Sequence, residues 1–300
     1  MYGQDFVFNG RSLSEFGMMM CVFDNAEDDK LSLGRELIST ELTSYRDYIH
    51  ILGSKHTETL SFQVSIIKSI CENKTQNEMA ISRSELRNIT NWLTGNTSAS
   101  TFHLIDEDKL FDEYIEYDCV CTDIEPFVVS GTIYGMTVTF TCNAPYGYSE
   151  RTIYKNAGDN ASYSDTFSFS IYNDSDVLTS LYRPEIVKIY PKWSRTINGT
   201  ITNTTLNKSL TLYKTLTNSS SYLTIDTKRK IFYENDNYSS PIPLSELGIS
   251  TKTLINNVNT YGTDGMYWFE LAQGENEFVV KDYIIKVEME CRFPRKVGGF

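Results

Sequence analysis

The chain has little of what usually announces catalysis or a membrane. It holds three histidines and six cysteines in 300 residues. No apolar run reaches the ~18 residues a membrane-spanning helix needs, so no membrane insertion is expected. There is no HExxH, Walker loop, GxGxxG or GxSxG elbow, and His50, His56 and His103 stand beside no signature nucleophile. The sequence therefore assigns no catalytic residue, no cofactor and no metal ligand, and an enzyme is not expected. The 39 carboxylates could hide a glycosidase pair, but no spacing singles one out. The opening MYGQDFVFNG lacks a basic head and an apolar core, so synthesis in the cytoplasm is expected. No internal repeat is found at the roughly 20–50-residue periods of solenoids and propellers.

The cysteines Cys21, Cys71, Cys119, Cys121, Cys142 and Cys291 are irregularly spaced and form no CxxC. Cys119 and Cys121 share one face of a strand, but no histidine lies near them in sequence. Reduced thiols in a core are expected, not a metal site. Sequons such as Asn73-Lys74-Thr75 and Asn198-Gly199-Thr200 reflect an Asn- and Thr-rich composition without a signal peptide. Positive charge is scarce in one half only. Residues 1–145 hold ten Lys and Arg against 22 Asp and Glu, whereas residues 146–300 hold 17 of each. An acidic half repels phosphate, which argues against nucleic-acid binding there.

What is abundant is β-forming side chains, with 20 Tyr and 16 Phe. The organising stretch is Gly135–Ser149. Met136, Val138, Phe140 and Cys142 alternate with Thr137, Thr139 and Thr141, the period of a strand with one buried face. Asn143-Ala144-Pro145-Tyr146-Gly147 then breaks it. The length suits about two domains, and this break suggests boundaries of 1–145 and 146–300.

In the first half, Phe6-Val7-Phe8 reads as a strand closed by the turn Asn9-Gly10. A short helical turn at Leu13–Phe16 stops at Gly17. Strands are expected at Met18–Phe23, Glu36–Leu42, Tyr48–Leu52, Glu58–Ile67, Thr101–Ile105 and Tyr114–Cys121. Ser82–Leu93 is the one clear helix, with Ser82 and Glu85 spaced as a capping box and Gly95 placed to end it. Trp92 then pins the helix to a sheet and is not read as a binding anchor. The acids at Asp24–Lys30 and at Asp106-Glu107-Asp108 lack calcium-loop spacing and read as solvated loops. In the second half, strands are expected at Thr166–Ile171, Glu185–Tyr190, Gly199–Asn203, Ser209–Tyr213, Tyr222–Asp226, Met266–Ala272, Glu277–Val280 and Ile284–Phe293. Such short strands suit an antiparallel sandwich. Residues 155–180 and 235–262 are polar and read as loops or insertions.

These residues resemble one family. Phe6-Val7-Phe8-Asn9-Gly10 with Leu13-Ser14-Glu15-Phe16-Gly17-Met18 is similar to the start of phage distal tail proteins, the Dit family. Trp92-Leu93, Leu104-Ile105-Asp106, Val138-Thr139-Phe140 and Ala144-Pro145-Tyr146-Gly147 continue the resemblance in order. So do Arg183-Pro184-Glu185-Ile186, Phe269-Glu270-Leu271 and the closing Phe293-Pro294-Arg295. The resemblance implies a mainly β chain. Its N-terminal domain would be a tail-tube-like β-sandwich with one helix, and its C-terminal domain a galectin-like, carbohydrate-module-like β-sandwich. It implies a homohexamer ring at the tail tip or baseplate of the virion, joining the tail tube protein to the tail-tip hub protein. It also implies docking of receptor-binding proteins and passage of DNA through the lumen without specific binding. The competing reading is a lectin-like sandwich that binds host saccharide. For it, Trp193 in the loop Pro191-Lys192-Trp193-Ser194 is the candidate ligand residue, and Trp268 is expected in a core or interface instead.

Overall fold

The alternating stretch lies within a strand, Thr132–Cys142, whose Met136, Val138, Phe140 and Cys142 are buried while the threonines between them are not. The structure is a computed structural model that describes residues 5–21, 35–39, 51–56, 59–69, 75–105, 114–158, 166–177, 181–192, 195–248, 250–253, 259–260 and 266–296. The chain is mainly β. It forms two units, Met1–Ser149 with Pro294–Phe300, and Glu150–Phe293.

The first unit is built on one antiparallel sheet. Its strands are β1 (Asp5–Phe8), β2 (Arg11–Ser12), β3 (Met18–Cys21), β6 (Ser61–Lys68), β7 (Ser100–Ile105), β8 (Ile115–Val129), β9 (Thr132–Cys142) and β10 (Gly147–Ser149). Strands β4 (Arg35–Ser39) and β5 (Ile51–His56) pair separately. The main order is β2-β1-β7-β8-β9-β6-β3, and β10 joins β8 to the last strand of the chain, β23 (Pro294–Arg295). The sheet curls. Strands lie about 4.8 Å apart, yet the rings of Phe8 on β1 and Phe140 on β9, three places away, have centroids 5.1 Å apart. The concave face therefore holds an aromatic core of Phe6, Phe8, Phe62, Phe102, Tyr117 and Phe140.

Two helices serve this unit, α1 (Gln76–Met79) and α2 (Arg83–Thr94). Helix α1 escapes sequence reading because it is a single turn, although Thr75 and Glu78 form a capping box. Helix α2 starts as expected. The Glu85 amide donates to Ser82 Oγ at 3.3 Å, and the Ser82 amide donates to Glu85 Oε2 at 2.7 Å. Gly95 ends the helix in a right-handed conformation, φ −67°, not the left-handed one a glycine stop suggests. Its need is room, since a Cβ there would sit 2.5 Å from the Asn91 carbonyl oxygen. We expect Ser82→Ala to cost about 1 kcal/mol. A thermal melt should fall by about 2–4 °C, while Ser82→Thr should stay near the parent.

The second unit is a sandwich of two antiparallel sheets. One has the order β11 (Thr152–Ala157), β22 (Ile284–Cys291), β13 (Ile186–Pro191), β16 (Leu223–Asp226), β17 (Ile231–Glu234) and β18 (Pro241–Ile242). The other has β12 (Phe167–Asn173), β21 (Gly274–Asp282), β14 (Thr196–Asn203), β15 (Lys208–Thr215), β19 (Ser250–Thr253) and β20 (Asn259–Thr260). Val187, Ile189, Ile225 and Val287 on one inner face share a core with Ile197, Ile201, Leu212 and Phe278 on the other.

Several sequence expectations need correction. Met266–Ala272 is not a strand. It is a buried irregular segment that meets a neighbour only through the Leu271–Tyr182 bridge. Phe269 sits at φ 56°, which no extended strand tolerates. Side chains serve its backbone instead of a ladder, with Tyr267 Oη and Asn203 Nδ2 both donating to the Glu270 carbonyl. The polar stretches at 155–180 and 235–262 are not all loop, since β11 ends inside the first and β18, β19 and β20 lie in the second. Of the expected strand Tyr48–Leu52, residues 48–50 lie outside the described residues, and Ile51 and Leu52 lie in strand β5.

Candidate functional site

Among the described residues no catalytic constellation is assembled. Among the described residues no group of three or more His, Cys, Asp or Glu is placed to hold a metal. No helix among them is long and apolar enough to cross a membrane. Cys119, Cys121 and Cys142 all point into the first core. The hydrogen bond to Cys142 and burial push the Cys119 thiol upward, and burial pushes Cys121 up to about 11. Such thiols are not nucleophiles at neutral pH. Trp92 is buried against Phe6, Phe8 and Phe16. Trp268 is buried beside Phe232 in the second core. The acids 24–29 and 106–108 and the candidate ligand Trp193 lie outside the described residues.

The informative features are surfaces. The convex face of the first sheet carries a hydroxyl and amide mesh across β8, β9 and β6. Ser65 meets Thr137 at 3.3 Å, Gln63 Nε2 donates to Thr139 at 3.3 Å, and Thr122 meets Thr141 at 3.1 Å. Register and alternation place Asp5, Glu116, Asp118, Asp123 and Glu125 on this face. No Lys or Arg of strands β1–β3 and β6–β9 is on it, because Arg11 pairs with inward Phe8, and Lys68 with inward Met18. His103 adds no positive charge near pH 7, since burial lowers its pKa despite Glu116 nearby.

The second surface is the end of the β8–β9 hairpin. The sheet neighbour β7 pairs with β8 only as far as Cys119, and β6 pairs with β9 only from Gly135. Beyond those points the two strands pair with no further strand among the described residues. Phe127, Val128 and Val129 near the turn are 47%, 51% and 43% exposed. Sequence reading ended the strand at Cys121 because the register shift at Cys121/Asp123, with Thr122 as the extra residue, breaks its alternation there. The missed signal was Ser130-Gly131, both at positive φ as a tight hairpin turn requires.

The second unit carries an ion cluster in a cleft of about 540 Å³. Arg151 bridges Glu185 at 3.2 Å and Glu290 at 2.5 Å, Lys228 also meets Glu185, and Asp226 accepts the Arg229 amide. Its carboxylates are buried and its cations rim the opening, so the charges already satisfy one another.

The first unit thus presents a curled sheet whose convex face carries acids and no Lys or Arg among the described residues, and the second unit is a β-sandwich. Comparison with known proteins gives the class. Residues 1–144 match the family described as phage tail protein N-terminal domain. No curated protein sequence matches it. Its fold is that of a distal tail protein. The crystal structure of SPP1 Dit, described as a paradigm of the hub adsorption apparatus in phages infecting Gram-positive hosts, aligns with a TM-score of 0.58 at 11% identity, over 96% of this chain and 98% of that one. A chain of the phage P2 baseplate in its calcium-activated conformation aligns at 0.52 and 10% identity, over 99% and 100%. The strontium-activated form of the p2 baseplate gives 0.51 at 10% identity, with the same coverage.

Proposed function

We propose that this chain is the subunit of a hexameric ring at the distal end of a phage tail. The ring joins the tail tube to the tail-tip hub of the baseplate. The second unit is the platform on which receptor-binding proteins dock. The observation that carries this reading is the convex face of the first sheet, with five carboxylates and no Lys or Arg. Turned toward a channel, that face offers DNA no cation with which to release counterions, so the genome passes without being held. Ring closure also gives exposed strand edges a neighbour, where they would otherwise invite aggregation.

Mass photometry of the purified chain tests the ring. A closed hexamer, or two stacked hexamers, is the expected mass, with a central hole in negative-stain images. A strict monomer that binds a glycan array would replace this reading with the lectin. A channel lined mainly by Lys and Arg in the imaged ring would remove the role given to the acidic face.

A further inference from the structure

Two cysteines of the first core face each other across a ladder. Cys119 on β8 and Cys142 on β9 are registered partners, and both side chains are buried, at 0% and 4% exposure. The Asn143 amide donates to the Asp118 carbonyl at 2.9 Å. That bond joins the residue after Cys142 to the residue before Cys119, so the two cysteines are a pair without backbone hydrogen bonds between them. Such pairs hold their Cα atoms about 4.5 Å apart, with side chains closer than in the alternate pairs. A disulfide spans about 4.4–6.8 Å between Cα atoms, with about 5.5–6 Å the commonest. The pair therefore meets the spacing without backbone movement. It does so at the short end, where a disulfide is strained and easier to reduce. The other described cysteines have no such partner, since Cys21 lies opposite Ser65, Cys121 opposite Phe140 and Cys291 opposite Thr152.

We propose that Cys119 and Cys142 are a cross-strand dithiol that closes to a disulfide once the virion leaves the reducing cytoplasm of its host. Each thiol loses a proton and an electron, the Sγ–Sγ bond forms, and dissolved oxygen takes up both electrons and both protons to become hydrogen peroxide. The setting rests on the virion reading, but the chemistry belongs to the chain itself. A cytosolic glutathione pool keeps a strained disulfide open, and the medium outside a cell does not. The hydrogen bond to Cys142 and burial raise the Cys119 pKa, so thiolate is scarce at neutral pH and closure is slow. Cys142 is the last residue of β9, just before the break at Asn143-Ala144-Pro145. A ladder opens most readily at such an end, which gives the oxidant its entry. Once closed, the bond ties off a loop of about 24 residues that contains the β8–β9 turn. It also fixes the strand end from which the chain runs on through β10 to the second unit.

The test exposes the purified, reduced full chain to dissolved oxygen with a trace of copper at mildly alkaline pH. The intact mass should fall by two hydrogen atoms, with no covalent dimer. Digestion without reductant should give one linked pair of peptides, and fragmentation should place the bond between Cys119 and Cys142. The oxidised chain should melt about 5–10 °C higher, and a reductant should return it to the starting value. Cys121→Ala should keep the link and Cys142→Ala should lose it; if either variant fails to fold, the peptide map of the parent decides alone. An unchanged mass, a link through any other cysteine or between two chains, or a bond that already forms at a cytosolic ratio of reduced to oxidised glutathione overturns the proposal. Mass photometry of the same sample reads the ring separately. A chain that closes the bond and stays monomeric loses the ring and keeps the disulfide, and a ring whose mass does not fall keeps the ring and loses the disulfide.

Discussion

Trp92→Ala should cost the first unit about 4 kcal/mol and lower its melting temperature by about 8–16 °C. The residue is 6% exposed. It lies nearly parallel to Phe6 and Phe16, with interplanar angles of 12° and 21°. It also reaches Phe8 edge-on, and its Nε1 donates to the Phe8 carbonyl at 2.9 Å. Removing the ring opens a cavity between α2 and β1 and leaves that carbonyl without its donor. The two effects separate in Trp92→Phe, which keeps most of the packing and loses the hydrogen bond at about 1–2 kcal/mol. Denaturant unfolding of both variants checks this. If alanine costs no more than phenylalanine, the indole is held by its hydrogen bond alone and the packing argument fails.

The sequence exposed those elements whose own side chains settle their structure. Strand β9 buries every second residue, so its period survives as a pattern. Helix α2 is written in its capping box and in Ile89, Trp92 and Leu93, which are all buried. The hairpin at Asn9-Gly10 follows from two residues that accept positive φ, 51° and 72°. What was hidden depends on partners far along the chain. The far half of β8 was invisible because the extra residue Thr122 breaks its alternation and most of the side chains beyond it are exposed on both faces. Met266–Phe269 is apolar enough to be buried, but hydropathy does not say whether its amides meet a strand or a side chain. The pairing of Pro294 with Tyr148 joins the middle of the chain to residues near its end, with no local signal at either. The charge pattern of the surfaces was legible only as composition. Counting charges found the acidic half, but only the register shows its acids on the convex face while its described cations gather at α2. A resemblance of short ordered motifs reached the class before any site residue could be named.

Glu270→Ala should destabilise the second unit at neutral pH by about 2 kcal/mol, between an exposed pair and a fully buried one. Its side chain is only 16% exposed and meets Lys208 Nζ at 2.5 Å and Arg183 at 2.6 Å. Burial alone would raise its pKa, but Lys208 and Arg183 outweigh it and hold the carboxyl below its usual range. A depressed folded pKa contributes stability that is complete above the unfolded value of about 4.3 and is lost as pH falls through the folded value. The parent should therefore lose stability below about pH 4, and its difference from the alanine variant should shrink there toward zero. Lys208 and Arg183 keep partial solvent access, at 34% and 42%, so each remains hydrated when the carboxylate is gone. That keeps the cost below the 3–5 kcal/mol of an orphaned buried charge. The neighbouring Phe269 adds to the effect. It is fully buried at φ 56°, a conformation costing about 1–2 kcal/mol, and the paired Glu270 side chain helps fix the segment that imposes it. Glu288 on β22 is held low in the same way, as Lys286 and Tyr190 overcome its burial, so acid should loosen this sandwich at more than one place. Unfolding curves of parent and variant at pH 7 and pH 3 decide it. A difference that persists at pH 3 would show that Glu270 acts through packing and not through its charge.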